Sequence, residues 1–164
     1  MGVKCEGAFV LIVIASMFAA GAANKEWSSV AGNWNHSHSH PNATSNRFIV
    51  GGSENWHFGF NYTKWAINTA PFFLNDTLVF KYDPPNDTTF PHSVYLLPDF
   101  WSFKNCDLRR ARKIGEVSAG GGDGFEFVLK RWQPYYFACG EHGGAHCKDG
   151  LMKFAVWPLI RWFY

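Results

Sequence analysis

The sequence predicts an all-β fold, a Greek-key sandwich with one or two short helices, on three observations. At least six short stretches alternate apolar and polar residues or run apolar for the length of a strand. Gly, Pro and Asn punctuate them at short intervals. Helical patterning is confined to two brief segments, neither long enough to build a core alone. The composition agrees: 47% hydrophobic and 18% aromatic residues in a chain of 164 supply one sizeable core, and 17% charged residues exclude a disordered chain or a heptad coiled coil. A net charge of +2 gives no electrostatic ground for a nucleic-acid partner.

Taken in order, residues 1–23 read as a secretory signal peptide. Lys4 precedes the apolar run Ala8 to Ala20, and Gly21, Ala22 and Ala23 supply the small residues of a cleavage site. The run is too short for a comfortable membrane span of about 20 apolar residues. Residues 24–46 are rich in Ser, Asn and His, including the alternation His36, His38, His40, and read as a solvated, glycosylated linker. Five Asn-x-Ser/Thr sequons, at Asn35, Asn42, Asn61, Asn75 and Asn86, stand against about one expected by chance and agree with a secreted glycoprotein.

The folded domain is expected over 47–158. Arg47 to Val50 is a strand closed by Gly51 and Gly52, and Asn61 to Ile67 a short helix. Leu78, Phe80 and Tyr82 form one face of a strand that ends at Pro84 and Pro85. His92, Val94 and Leu96 share a face of the next strand, behind Pro91. Asp107 to Ile114 is predicted as a second helix with Asp107 as its N-cap. Gly120 to Gly124 make a turn before the strand with Phe125, Phe127 and Leu129 on one face, and Tyr135 to Ala138 and Met152 to Val156 complete the set. Residues 159–164 read as a short tail. Arg161 interrupts its apolar character, so no lipid-anchor signal is expected there.

Removing the leader takes Cys5 with it and leaves Cys106, Cys139 and Cys147 in a compartment that oxidises thiols. One must stay unpaired, as an intermolecular bridge, an exposed liability or a thiolate held by a metal. Cys139, His142, His146 and Met152 lie in one strand–loop–strand unit, and His92 is the upstream partner. A soft thiolate, imidazoles and a weak thioether are the donor set of a blue-copper electron-transfer site, and no CxxC pair is present to build structural zinc. Each residue also has a bland reading: a satisfied strand histidine, an inert buried thiol, a core methionine.

Several motifs together resemble one family. They are Ile49-Val50-Gly51-Gly52, the Trp65 region, Asp76-Thr77-Leu78-Val79-Phe80-Lys81-Tyr82, His92-Ser93-Val94, Tyr136-Phe137-Ala138-Cys139, His146-Cys147 and Met152-Lys153-Phe154-Ala155-Val156. From about Arg47 to Trp157 the chain is similar to the phytocyanins of plants, extracellular cupredoxins, in their uclacyanin and early nodulin-like branch. The resemblance implies a cupredoxin-like sandwich, one type 1 copper held by His92, Cys139 and His146 with Met152 axial, and a disulfide between Cys106 and Cys147. Cys139 is then the unpaired thiol. The family usually has four residues between the Cys and the last His, whereas six separate Cys139 from His146 here, and Leu151 adds one more before Met152. Gly140, Gly143 and Gly144 can absorb that length. His142 remains a rival loop ligand, and His146 is preferred for its adjacent Cys147.

The function so implied is a secreted, monomeric electron carrier of the apoplast or cell wall that cycles Cu(II) and Cu(I) and is not itself an enzyme. Its partners are expected to be small redox molecules or an extracellular redox protein. The competing reading is a copper-free structural or adhesion glycoprotein of the cell wall, with copper storage a third. Ser93 is expected to support the ligands from behind, and His57 to be structural. The basic run Arg109, Arg110, Arg112, Lys113 reads either as a solvated face or as a contact for anionic cell-wall polymers.

Overall fold

A computed structural model describes residues 45–161; the signal peptide, most of the linker with Asn35, Asn42 and the His36–His40 alternation, and the last three residues lie outside them. Seven strands form two sheets: β1 (Arg47–Ile49), β2 (Thr77–Phe80), β3 (Val94–Leu97), β4 (Arg112–Gly115), β5 (Phe125–Val128), β6 (Tyr135–Ala138) and β7 (Lys153–Val156). One sheet runs β1-β2-β5, with β1 parallel to β2 and β5 antiparallel to it. The other runs β4-β3-β6-β7, all antiparallel, with a bulge at Val94/Tyr95. The expected sandwich is therefore present.

Alternation along each strand sorts side chains between the sheets and the outside. Leu78, Phe80, Val94, Phe137, Phe154 and Val156 meet in the main core with Trp56, Tyr62, Cys139 and Met152. The rings interlock rather than merely crowd: Phe137 stacks on Phe154 at 5.1 Å, and Trp56 meets Phe80 edge-on at 5.3 Å. Such pairs add about 0.5–1.5 kcal/mol each beyond their burial.

Three short helices decorate the sandwich, α1 (Tyr62–Thr69), α2 (Phe100–Asn105) and α3 (Ala145–Lys148). The first falls where the sequence put it, and Asn61 caps it by accepting from the Lys64 N–H at 2.9 Å. The helix expected over Asp107–Ile114 is absent. The Asp107 carboxylate is instead held by the Arg109 backbone and guanidinium, and Arg112–Gly115 is recruited as β4 by pairing with β3. The unforeseen α2 precedes it, capped by Asp99 and ended by Cys106 in a left-handed conformation. The chain stays attached beyond β7: Leu159 exchanges backbone hydrogen bonds with Phe72 and Leu74, and Arg161 reaches the buried Asp76 at 2.7 Å. Among the described residues no helix is long and apolar enough to cross a membrane.

Candidate metal centre

One end of the sandwich is built by two segments distant in sequence, the one around His92 and the continuous run from Cys139 to Met152. Cys139 follows directly on β6, where alternation turns Phe137 and Cys139 into the main core and Ala138 toward a smaller cluster behind the sheet. Its thiol is fully buried and unpaired. The Ser93 backbone N–H donates to Cys139 Sγ at 3.5 Å, so the anticipated support from Ser93 comes from its main chain. Burial pushes the Cys139 thiol above its ordinary value, and the backbone N–H groups of Ser93 and Glu141 oppose that rise.

The loop after Cys139 uses its extra length to turn back on itself. His142, Gly143 and Gly144 all take left-handed backbone, at φ 51°, 62° and 90°, a run that two consecutive glycines make accessible. A single 3-10 turn at His142–Gly144 then leads into α3, which carries His146 inward. Cys147, next along α3, is bridged to Cys106 at the end of α2, which fixes the helix against the sheet. Met152 closes the loop: its N–H donates to His146 O at 3.1 Å, and its carbonyl accepts from the Cys139 N–H at 2.9 Å. Its side chain is fully buried in the same core as Cys139.

His92 stands just ahead of β3 rather than on it, a correction to the expected strand beginning at that residue. The extended segment after Pro91 is held from the core: Trp56 Nε1–H donates to Ser93 O at 3.1 Å. This places His92 Nδ1 3.2 Å from His146 Nδ1 and 4.0 Å from Cys139 Sγ, with His146 Nδ1 3.5 Å from the same sulfur. Burial, and then the neighbouring His146, lower the His92 pKa to about 4; burial and then His142 lower that of His146. Burial thus disfavours the protonated form of both imidazoles, the form that cannot bind a metal.

The donor set fits a soft first-row metal. Bonds of about 2.0 Å to nitrogen and 2.3 Å to sulfur in a trigonal plane separate the donor atoms by roughly 3.5–3.7 Å, and the three observed spacings bracket that range. Among the described residues His92, Cys139 and His146 are the one buried cluster of such donors. His142 is not part of it. Its ring is exposed and lies between Phe90, at 6.0 Å, and His146, at 4.9 Å. His57 is outside that cluster as well: exposed and 3.5 Å from Glu54, it lines the cleft beside His92.

Sequence reasoning missed Trp56, Phe58 and Phe90. Phe58 packs edge-on against His146 at 5.4 Å and is half exposed, and with Phe90 it borders a cleft of about 530 Å³ beside His92. Their contacts are long-range, and no local pattern marks them.

Two sheets closed over an aromatic core, with a buried His–Cys–His cluster at one end, define a cupredoxin-like domain. Cucumber basic protein, a blue copper protein, superposes with a TM-score of 0.52 at 26% identity, covering 69% of this chain and 99% of that one. Cucumber stellacyanin shares the fold with a TM-score of 0.55 at 21% identity, over 72% and 99% of the respective chains. The plastocyanin-like domain family matches residues 56–151. The chain belongs to that family, of the phytocyanin kind, as its motifs suggested. Blue copper protein 1b of Medicago truncatula is 28% identical over 113 residues, 68% of this chain; the match spans only 60% of that relative's length.

Proposed function

We propose that this chain is a type 1 copper protein that passes single electrons, holding one copper through His92, Cys139 and His146 with Met152 as the weak axial donor. The observation that carries the reading is the convergence of the His92 and His146 ring nitrogens on the unpaired, buried Cys139 thiol. A copper held there would supply reversible one-electron chemistry between Cu(II) and Cu(I), both of which a thiolate and imidazoles can bind. The chain's part is to hold the donors still and dry. Trp56 fixes the His92 segment, the Cys106–Cys147 bridge fixes His146, and the Ser93 N–H orients the sulfur. Phe58 and the small-sided Gly143–Gly144 turn leave an apolar surface beside His146 for a small redox molecule or an extracellular redox protein.

A copper-free structural role is disfavoured because His92, Cys139 and His146 come together in spite of the lengthened loop, with Met152 buried in the same core as the thiol. Secretion is supported by the disulfide, which belongs to oxidising compartments, and by the exposure of the sequon residues Asn61, Asn75 and Asn86. We read the protein as a monomeric carrier rather than an enzyme.

The test is titration of the purified protein with Cu(II), followed by visible and EPR spectroscopy and by voltammetry. One copper per chain, an intense thiolate-to-Cu(II) band and a reversible one-electron wave are expected, and Cys139→Ser should lose the band. Well-folded protein that refuses Cu(II), or Cys139→Ser with an unchanged spectrum, overturns the reading in favour of the structural glycoprotein.

A further inference from the structure

The two sheets expose edge strands on one side of the sandwich, β4 of one and β5 of the other. Between them runs a second cleft of about 530 Å³, lined by Leu96, Arg112, Glu126, Phe127, Lys130, Arg131 and their neighbours. Its charge is one-sided. Arg112, Lys130 and Arg131 are all exposed, and among the described residues none is engaged in an ion pair. The one carboxylate in the lining, Glu126, is neutralised by Arg47.

The basic run read from the sequence is divided accordingly. Arg109 is paired with Asp107, Arg110 with Asp99 and Lys113 with Glu116, which leaves Arg112 to face the cleft. Trp132, between the lining residues Arg131 and Gln133, is 63% exposed, a large apolar ring with no place in the core.

We infer that this seam is a binding site for an anionic polysaccharide carrying carboxylate groups, a uronate polymer. The three free cations match spaced carboxylates, and the Gln133 amide matches hydroxyls. The exposed indole offers the flat apolar face on which a sugar ring packs. A polymer of moderate charge density suits a local cluster on a chain whose net charge is only +2; a polyphosphate, at one charge per ~1.7 Å of duplex, calls for a far more basic surface. The site is also remote from the metal donors. β6 begins at Tyr135 in the cleft lining and leads to Cys139, four residues on at about 3.3 Å each. A polymer seated here therefore leaves the surface beside His146 open.

The experiment is binding of the purified protein to polygalacturonate, with dextran as the uncharged control and a DNA oligonucleotide as the polyphosphate control, at two salt concentrations. Folding of every variant is checked by circular dichroism and thermal melting, with and without copper. Wild type should bind polygalacturonate in preference to both controls and lose affinity as salt rises. Each of Arg112→Ala, Lys130→Ala and Arg131→Ala should weaken binding about three- to fivefold. Trp132→Ala should weaken it at both salt concentrations alike, whereas Arg109→Ala/Arg110→Ala should bind as wild type. The inference is overturned if folded wild type does not bind, if the triple variant binds normally, if loss follows Arg109 and Arg110, or if DNA is held as tightly as the polymer. None of these outcomes bears on copper binding.

Discussion

Cys139 and Cys147 belong to one strand–loop–helix segment, yet they end in two differently built regions. Cys139 enters the large core, walled by Phe137, Phe154, Met152 and Trp56. Cys147 enters a small cluster on the other face of β6, made of Leu97, Cys106 and Ala138, with Tyr95, Leu108 and Tyr136 around it. The difference follows from period-two alternation: Ala138 and Cys139 are successive residues and point to opposite faces. In an oxidising compartment a free thiol beside a disulfide invites exchange. Here the sheet itself stands between them, so the buried Cys139 sulfur stays unpaired while the other two close the fold.

That separation can be attacked from either side. The largest effect is expected at the donor face: His146→Ala should abolish the thiolate-to-Cu(II) band, whereas His142→Ala should keep it, because the His142 ring is exposed and outside the donor cluster. Absorbance of the copper-loaded variants decides this, and equal loss in both would show that the two loop histidines share the site. On the other face, Cys106→Ala/Cys147→Ala should cost about 2–4 kcal/mol of stability, since the bridge spans 41 residues of chain. Denaturant melts read the cost. The copper band should weaken in the folded variant, because the bridge fixes the short helix that carries His146.

Finer perturbations sharpen the contrast. Met152→Leu fills the same volume without a thioether and should raise the reduction potential by voltammetry while leaving the band, since a weak axial donor favours Cu(II) over Cu(I). The smallest effect belongs to Asp99, the α2 cap on the small-cluster side. The Ser102 N–H, and then Arg110, hold its carboxyl below the usual range. A lowered folded-state pKa stabilises above the ordinary carboxylate value and is lost as pH falls through the folded one. Asp99→Ala should therefore melt slightly below wild type at neutral pH, and the gap should close in acid.

Most of the large-core side could be read directly. Leu78, Phe80, Phe125 and Phe127 announce their strands by alternation, and the family resemblance carried by His146-Cys147 points to the loop histidine that lies beside Cys139. The small-cluster side was harder, for a physical reason. Asp107 carries the chemistry of a helix cap, yet its carboxylate is taken by Arg109, and the following residues gain more by pairing with β3 than by coiling alone. Asp99, behind Pro98, is the cap that forms, but a helix of one and a half turns leaves too faint a period to detect. The parallel pairing of β1 with β2 and the Trp56 bond to Ser93 join residues far apart in sequence. No window along the chain contains both partners.

The bridge between Cys106 and Cys147 also makes a covalent ring of the chain. The exposed turn Gly121–Asp123 lies on that ring, so a protease that cuts there produces two polypeptides that remain one molecule until a reductant separates them. The first piece carries His92 and the second Cys139, His146 and Met152. Digestion at that turn is thus tolerable damage: while the bridge stays oxidised, a nicked molecule keeps His92, Cys139, His146 and Met152 together.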